Sequence, residues 1–321
     1  MSMTPMAAAQ NAKVPSEDLD DLGSEENDEF RPMGKIRLII SRFMKNKTAV
    51  FGLVVLLLLV LFGVFGHLLT PWAYTEQDFL SLGKPPSAEH WLGTNSAGVD
   101  MVALLAQGAR TSLMIGLSVG ILTPFIALII GCSMAYFGSW VDTGWMWVIE
   151  SLIMFPQVIL LGIIMSGKGG GPVLLAFILV LFGWMGSARL IRGMAKSYVD
   201  RDFVRSARFI GERPLTIIWR HVAPNLASLA IINATTGIWG AILSEISLSF
   251  LGIGITVPET SLGLMISQAR NYLFSQPWMF WTPVLTFMLI VGALALINDG
   301  LRDALDPESN AAGKVKKGKK K

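Results

Sequence analysis

Residues 49–69 read AVFGLVVLLLLVLFGVFGHLL, twenty-one positions without a single Asp, Glu, Lys or Arg. A helix of that length rises about 1.5 Å per residue and covers roughly 30 Å, one thickness of bilayer hydrocarbon. Similar runs recur near 112–135, 145–166, 173–191, 228–251 and 280–298. The fourth is short, and Asn233, Thr235, Thr236, Ser244 and Glu245 interrupt the fifth. Charged residues make up only 15% of the chain, against roughly 25% in a soluble domain. The polar surface that a soluble fold needs is missing, which predicts an all-α membrane protein of about six transmembrane helices.

The few charges are segregated, and their placement predicts an orientation. With the N-terminus inside the cell, the inner segments hold 22 of the 26 Lys and Arg: seven before the first span, eight from Arg189 to Arg220 and seven from Arg302 to Lys321. Only Lys84, Arg110, Lys168 and Arg270 fall outside. Positive charge accumulates on the cytoplasmic side of membrane proteins, so both termini are expected there. This topology explains the net charge of +3 without invoking nucleic acid.

Residues 1–34 are rich in Asp and Glu from Glu17 to Glu29 and poor in large apolar groups. Such a stretch cannot bury enough surface to offset its chain entropy, so an acidic disordered cytoplasmic tail is expected. A basic juxtamembrane segment, 35–48, leads into a membrane domain expected over 49–308, and 309–321 forms a lysine-rich tail. The outer segment 71–110 is too long for a tether. It carries Pro71, Pro85 and Pro86, then His90-Trp91-Leu92-Gly93-Thr94, with a short amphipathic helix expected near 99–109.

Two apparent sites do not survive inspection. Residues 162–169, Gly-Ile-Ile-Met-Ser-Gly-Lys-Gly, match the spacing of a phosphate-cradling loop, but Gly169 stands where a Mg²⁺-binding hydroxyl is required. The stretch also ends an apolar span instead of following a strand. The histidines, His67, His90 and His221, lie on separate segments, and Cys132 is the sole cysteine. No metal, cofactor or nucleophile–base set is expected, which disfavours a membrane-embedded enzyme.

The most informative segment is the predicted cytoplasmic loop 192–224. Within it, Asp202-Phe203-Val204-Arg205-Ser206-Ala207-Arg208-Phe209-Ile210 reads as an amphipathic helix. Phe203, Val204, Ala207 and Ile210 share one face; Asp202, Arg205 and Arg208 lie away from it. Gly211 ends the helix, Pro214 follows, and a second helical piece, 215–221, runs to Pro224. A helix of this kind either lies in the headgroups or docks into a partner.

Here the chain resembles the permease subunits of ATP-binding-cassette importers. Asp202-Phe203-Val204-x-x-Ala207-Arg208-x-x-Gly211, followed by Ile217-Ile218-x-Arg220-His221-x-x-Pro224-Asn225, is similar to their EAA loop. His90 to Thr94, Gly108 to Leu113, Ala241 to Gly252 and Asp299 to Pro307 resemble other signatures of the C-type subunit in dipeptide, oligopeptide and nickel importers. The resemblance covers roughly residues 35–308. Arg205-Ser206 replaces the usual Glu-Ala, and Val99 stands where an arginine is usual.

The resemblance implies the type I importer fold and a set of partners: a second permease subunit, two cytoplasmic ATPases, an extracytoplasmic solute-binding protein and the lipid bilayer. It implies that the helix over 202–212 couples the spans to an ATPase, through Asp202, Phe203, Val204, Arg205, Ala207, Arg208, Ile210 and Gly211. Peptide is the substrate class expected first, with nickel or another small solute as the alternative. Glu245, within the fifth span, is either a pathway residue or a helix-to-helix hydrogen-bond partner. A secondary transporter working without an ATPase would instead favour an internal inverted repeat, and none is evident.

Overall fold

The computed structural model describes residues 35–168 and 170–305, with side chains described for 37–165 and 170–305. The expected acidic tail before residue 35 and the lysine-rich tail after 308 lie outside the described residues. The chain divides into two units, Met1–Leu38 and Ile39–Lys321. Of the first, only the opening of helix α1 (Lys35–Lys45) is described; the remainder concerns the second.

Helix α2 (Lys47–Phe65) is the first span. Asn46 starts it, its side chain accepting from the Thr48 and Ala49 N–H groups and so satisfying two otherwise orphaned donors. Its buried positions are all small: Ala49, Gly52 and Gly63. A Cβ at Gly52 would lie 2.7 Å from the Ala293 carbonyl oxygen. Lipid tails are as apolar as leucine, so close backbone approach of this kind holds membrane helices together.

The centre of the fold is α3 (Met101–Phe137), 37 residues and about 55 Å long. The amphipathic segment expected near 99–109 is not a separate helix but its first three turns. Asp100 caps it, accepting from the Ala103 N–H at 2.9 Å. Helices α4 (Ser139–Ile153) and α5 (Gln157–Lys168) follow, then α6 (Pro172–Val199), which packs along α3. The expected third span, 145–166, is therefore not one helix: α4 and α5 meet at a 73° bend. Pro156 accounts for it, since it lacks an N–H and clashes with the carbonyl four residues before it.

Helix α7 (Asp202–Phe209) is the predicted cytoplasmic piece. The short α8 (Pro214–Ile217) passes through a π turn, Ile218–Val222, into α9 (Ala223–Phe250) without a break in direction. The expected stop at Pro224 does not occur. A π turn absorbs the proline by widening the hydrogen-bond ring where its ring would strike the preceding turn. Helix α10 (Leu262–Ala269) and then α11 (Pro277–Leu305) follow. Five helices among the described residues are long and apolar enough to cross a membrane, six when the bent pair counts as one span.

Three buried clusters divide the interior. One cluster, around α7, joins Cys132, Ile191, Val204, Ile217 and Leu226; a second joins Met101, Ile242, Leu262 and Ile290; a third joins Ile115, Met165, Leu175 and Leu248. The segment between α2 and α3 is stitched by polar contacts instead. Trp278 Nε1 donates to the Thr94 carbonyl at 3.0 Å, and Thr94 N donates to the Lys84 carbonyl at 3.0 Å. Buried His90 has Nδ1 2.9 Å from Asp100 and Nε2 3.5 Å from Asp78.

Candidate functional site

Helix α7 is an eight-residue knob gripped from behind. Val204 is 0% exposed and Ala207 is also buried, both packed into the first cluster with Ile217, Ile218 and Val222. Arg208 lies over the Tyr136 ring, 4.4 Å from its centroid, tying the knob to the end of α3. Asp202 occupies the first turn and Arg208 the last, each where the helix dipole favours its sign.

Gly211 terminates the helix at φ +84°, a conformation strained for any residue with a Cβ. Its N–H donates to the Arg208 carbonyl at 3.0 Å and the Glu212 N–H to the Ala207 carbonyl at 3.1 Å. This pair of bonds is the Schellman arrangement. It directs Glu212 back to His221, whose Nε2 lies 2.9 Å from its carboxyl, while Arg220 stands 3.7 Å away.

The predicted single apolar face is divided by the fold. Val204 and Ala207 serve the protein's own core, whereas Phe203 is exposed, Ile210 is 85% exposed and Phe209 is 91% exposed. The stripe is wide enough for both uses, because Phe203 and Ile210 sit on its outer edge at 3.6 residues per turn. Arg205 and Ser206 also face solvent. Beside them opens a surface cavity of about 640 Å³ lined by Phe203, Ser206, Ile210, Glu212, Arg220 and His221. The part of Glu212 and His221 in bracing the knob was not legible in the sequence, since the pair is set by the turn at Gly211.

A second brace lies at the same end of the bundle. Asp142 on α4 accepts from Arg192 Nε, from Arg192 Nη2 at 2.6 Å and from Lys196 Nζ at 3.0 Å. One carboxylate thus ties α4 to two basic residues of α6.

Glu245 is 0% exposed between α3, α9 and α10. It accepts from Ser261 Oγ at 2.6 Å, Ser249 Oγ at 2.9 Å and Ser112 Oγ at 3.2 Å. The Ser112 oxygen in turn accepts from the Leu262 N–H at 3.1 Å. Of the two roles open to Glu245, this geometry is that of the helix-to-helix partner. It is absent from the lining of the cavity of about 410 Å³ between α3, α5, α6 and α9, which Asn233, Thr236 and Ser244 line instead.

The apparent phosphate loop is not a loop. Residues 162–168 are the closing turns of α5, where backbone N–H groups are consumed within the helix; Gly169 lies outside the described residues. Among the described residues no cluster of three or more His, Cys, Asp or Glu could hold a metal ion.

Comparison with known proteins adds a lineage to this geometry. Residues 127–310 match the family described as binding-protein-dependent transport system inner membrane component. Residues 35–86 match the N-terminal membrane domain of oligopeptide transport permease C. The chain is 40% identical over 276 residues to the oligopeptide transport system permease protein OppC of Mycobacterium tuberculosis, covering 85% of this chain and 95% of that one. It is 34% identical over 270 residues to the dipeptide transport system permease protein DppC of Bacillus subtilis, covering 83% and 84%. With the DppC of Alkalihalophilus pseudofirmus it shares 32% over 286 residues, covering 88% and 92%.

Proposed function

Because the chain belongs to the family of binding-protein-dependent transport inner membrane components, we propose that it forms half of the translocation pathway of an ATP-driven peptide importer. It is a multi-pass protein of the cell membrane. A second permease subunit completes the pathway, two ATPase chains hydrolyse ATP beneath it, and an extracytoplasmic binding protein delivers the peptide. Both termini lie in the cytoplasm, as the distribution of Lys and Arg requires. The relatives OppC and DppC are oligopeptide and dipeptide transport permeases, which favours peptide over nickel.

One observation carries the coupling assignment: α7 is locked to the bundle on one side and bare on the other. Asp202, Arg205 and Arg208 flank a patch of Phe203, Phe209 and Ile210, and the Gly211 turn sets its angle. Burying such a side chain in a partner's groove contributes about 2 kcal/mol each. The grip behind it through Val204, Ala207 and the Arg208–Tyr136 contact makes the knob and the spans one lever. Only contacts that differ between two states shift their equilibrium, and a stiff knob transmits such a difference where a loose loop would absorb it. Glu245 acts as packing within this lever, not as a substrate contact.

The test is purification of the chain with its membrane partners, followed by reconstitution. Two ATPase chains and a second permease should accompany it, and uptake should require ATP. Phe203→Asp should release the ATPases while the permease pair stays folded. Transport by the chain alone in ATP-free vesicles, or full uptake by Phe203→Asp, would contradict the assignment.

A further inference from the structure

The cavity between α3, α5, α6 and α9 has an unusual polar character. Gln157, Ser187, Thr123, Asn233, Thr236 and Ser244 line it, and no charged side chain among the described residues does. Thr236 Oγ donates to the Ile232 carbonyl at 2.9 Å and Ser244 Oγ to the Gly240 carbonyl at 2.8 Å. Their hydroxyl protons are therefore spent, and each offers lone pairs.

Thr123 and Asn233 differ. Thr123 Oγ1 and Asn233 Nδ2 are shielded from solvent and have no hydrogen-bond partner among the described residues. Buried donors are nearly always paired, because leaving one unpaired costs its full desolvation. Here two orphans meet at one cavity, on facing helices. Next to them Pro124 lacks the N–H that would pair with the Gly120 carbonyl. Gly183 on α6 and Gly237 and Gly240 on α9 add no side chain where they meet the cavity.

We propose that this cavity binds the main chain of a peptide in transit, with Thr123 and Asn233 donating to its carbonyl groups and Thr236 and Ser244 accepting from its N–H groups. The proposal rests on the peptide-importer reading and deepens it. A peptide bond presents one strong donor and one strong acceptor whatever its side chains, and this lining offers both. A lining without charge gives no preference for acidic or basic side chains. In the present conformation the two donors are sealed and unpaired. A widened cavity holding a peptide satisfies them, so the substrate stabilises the widened state over the empty closed one.

The test uses the reconstituted complex with its binding protein saturated by each compound in turn. Tri-alanine is compared with its depsipeptide, in which an ester replaces the first of its two amides, removing that N–H and weakening the carbonyl as acceptor. Wild type should move the amide faster. Asn233→Leu and Thr123→Val should slow the amide about tenfold more than the ester, with ATP hydrolysis retained, and Asn233→Gln should restore part of the difference. Equal slowing of both compounds would mark a purely structural role and overturn the proposal, as would wild-type transport that does not distinguish them. Ala-Lys-Ala and Ala-Glu-Ala should enter at similar rates; a preference of about tenfold for either sign would overturn the charge-indifferent reading. A wild-type complex that moves none of these peptides would instead overturn the peptide-importer function itself.

Discussion

The Ser261 hydroxyl donates to the Glu245 carboxyl at 2.6 Å while its oxygen accepts from the Leu264 N–H at 3.1 Å. One serine therefore caps α10 and ties it to α9. With Ser112 and Ser249 on the same carboxyl, three elements converge on a single acidic side chain.

Glu245→Ala removes the acceptor from three buried hydroxyls and leaves a void. An unsatisfied buried group costs about 1–3 kcal/mol, so the variant should be destabilised by about 3 kcal/mol or more. Glu245→Gln keeps an acceptor oxygen and should cost about 1 kcal/mol. Thermal unfolding of the purified complex, followed by size exclusion, separates the two. Equal midpoints for Gln and Ala would contradict the network, and a change in peptide charge preference in Glu245→Gln would return Glu245 to the pathway.

At Gly211 the limitation is backbone conformation, not space, because nothing lies within 4 Å of where a Cβ would stand. The left-handed conformation costs a residue with a Cβ about 1–2 kcal/mol, and Asn least. Uptake in cells should therefore rank Gly211, then Asn, then Ala, then Val. Full uptake in Gly211→Val would show that the turn does not set the knob.

Cys132 is the only cysteine and is 0% exposed, so the native chain gives little thiol-labelling background. Leu80 is 86% exposed in the outer segment and Ile210 is 85% exposed on the knob. A membrane-impermeant maleimide should label Leu80→Cys in intact cells and Ile210→Cys only after permeabilisation. The reverse pattern would invert the topology.

Asp78 titrates below the ordinary carboxylate range, held there first by the Ser81 side chain, then by the Leu80 N–H and, more weakly, His90. Its folded value lies below its unfolded value, so its stabilisation is complete above about 3.9. That stabilisation disappears as pH falls through the lowered folded value. Asp78→Asn should lower the unfolding midpoint at neutral pH, and the gap to wild type should close in strong acid. A gap independent of pH would show that Asp78 acts by packing alone.

Much of the proposed coupling region was legible because its signals are local. The 3.6-residue pattern from Asp202 to Ile210, with Gly211 and Pro214 behind it, predicts a helix and its end, and α7 occupies Asp202–Phe209. What the pattern could not say was that Val204 and Ala207 are consumed internally while Phe203 and Ile210 remain exposed, because periodicity reports a face and not what covers it. The bend at Pro156 and the π turn before Pro224 divide in the same way. Both prolines forbid a regular helix, yet one produces a 73° break and the other stays within one continuous helical span, Pro214–Phe250. The difference is in the local backbone: the π turn Ile218–Val222 takes up Pro224, and no such turn precedes Pro156.

By itself the sequence determined the spans, because twenty uncharged apolar residues have no stable place outside a bilayer. It also determined the expected orientation, because Lys and Arg resist translocation. Tertiary structure alone decided what the polar residues inside those spans do. Glu245 and Asn233 both interrupt the same apolar run. The fold surrounds one with serine hydroxyls and leaves the other beside a cavity without a partner. A buried polar group is defined by its neighbours in space, and those neighbours come from α3, 133 positions away along the chain, as well as from the next turn of α9 and the cap of α10.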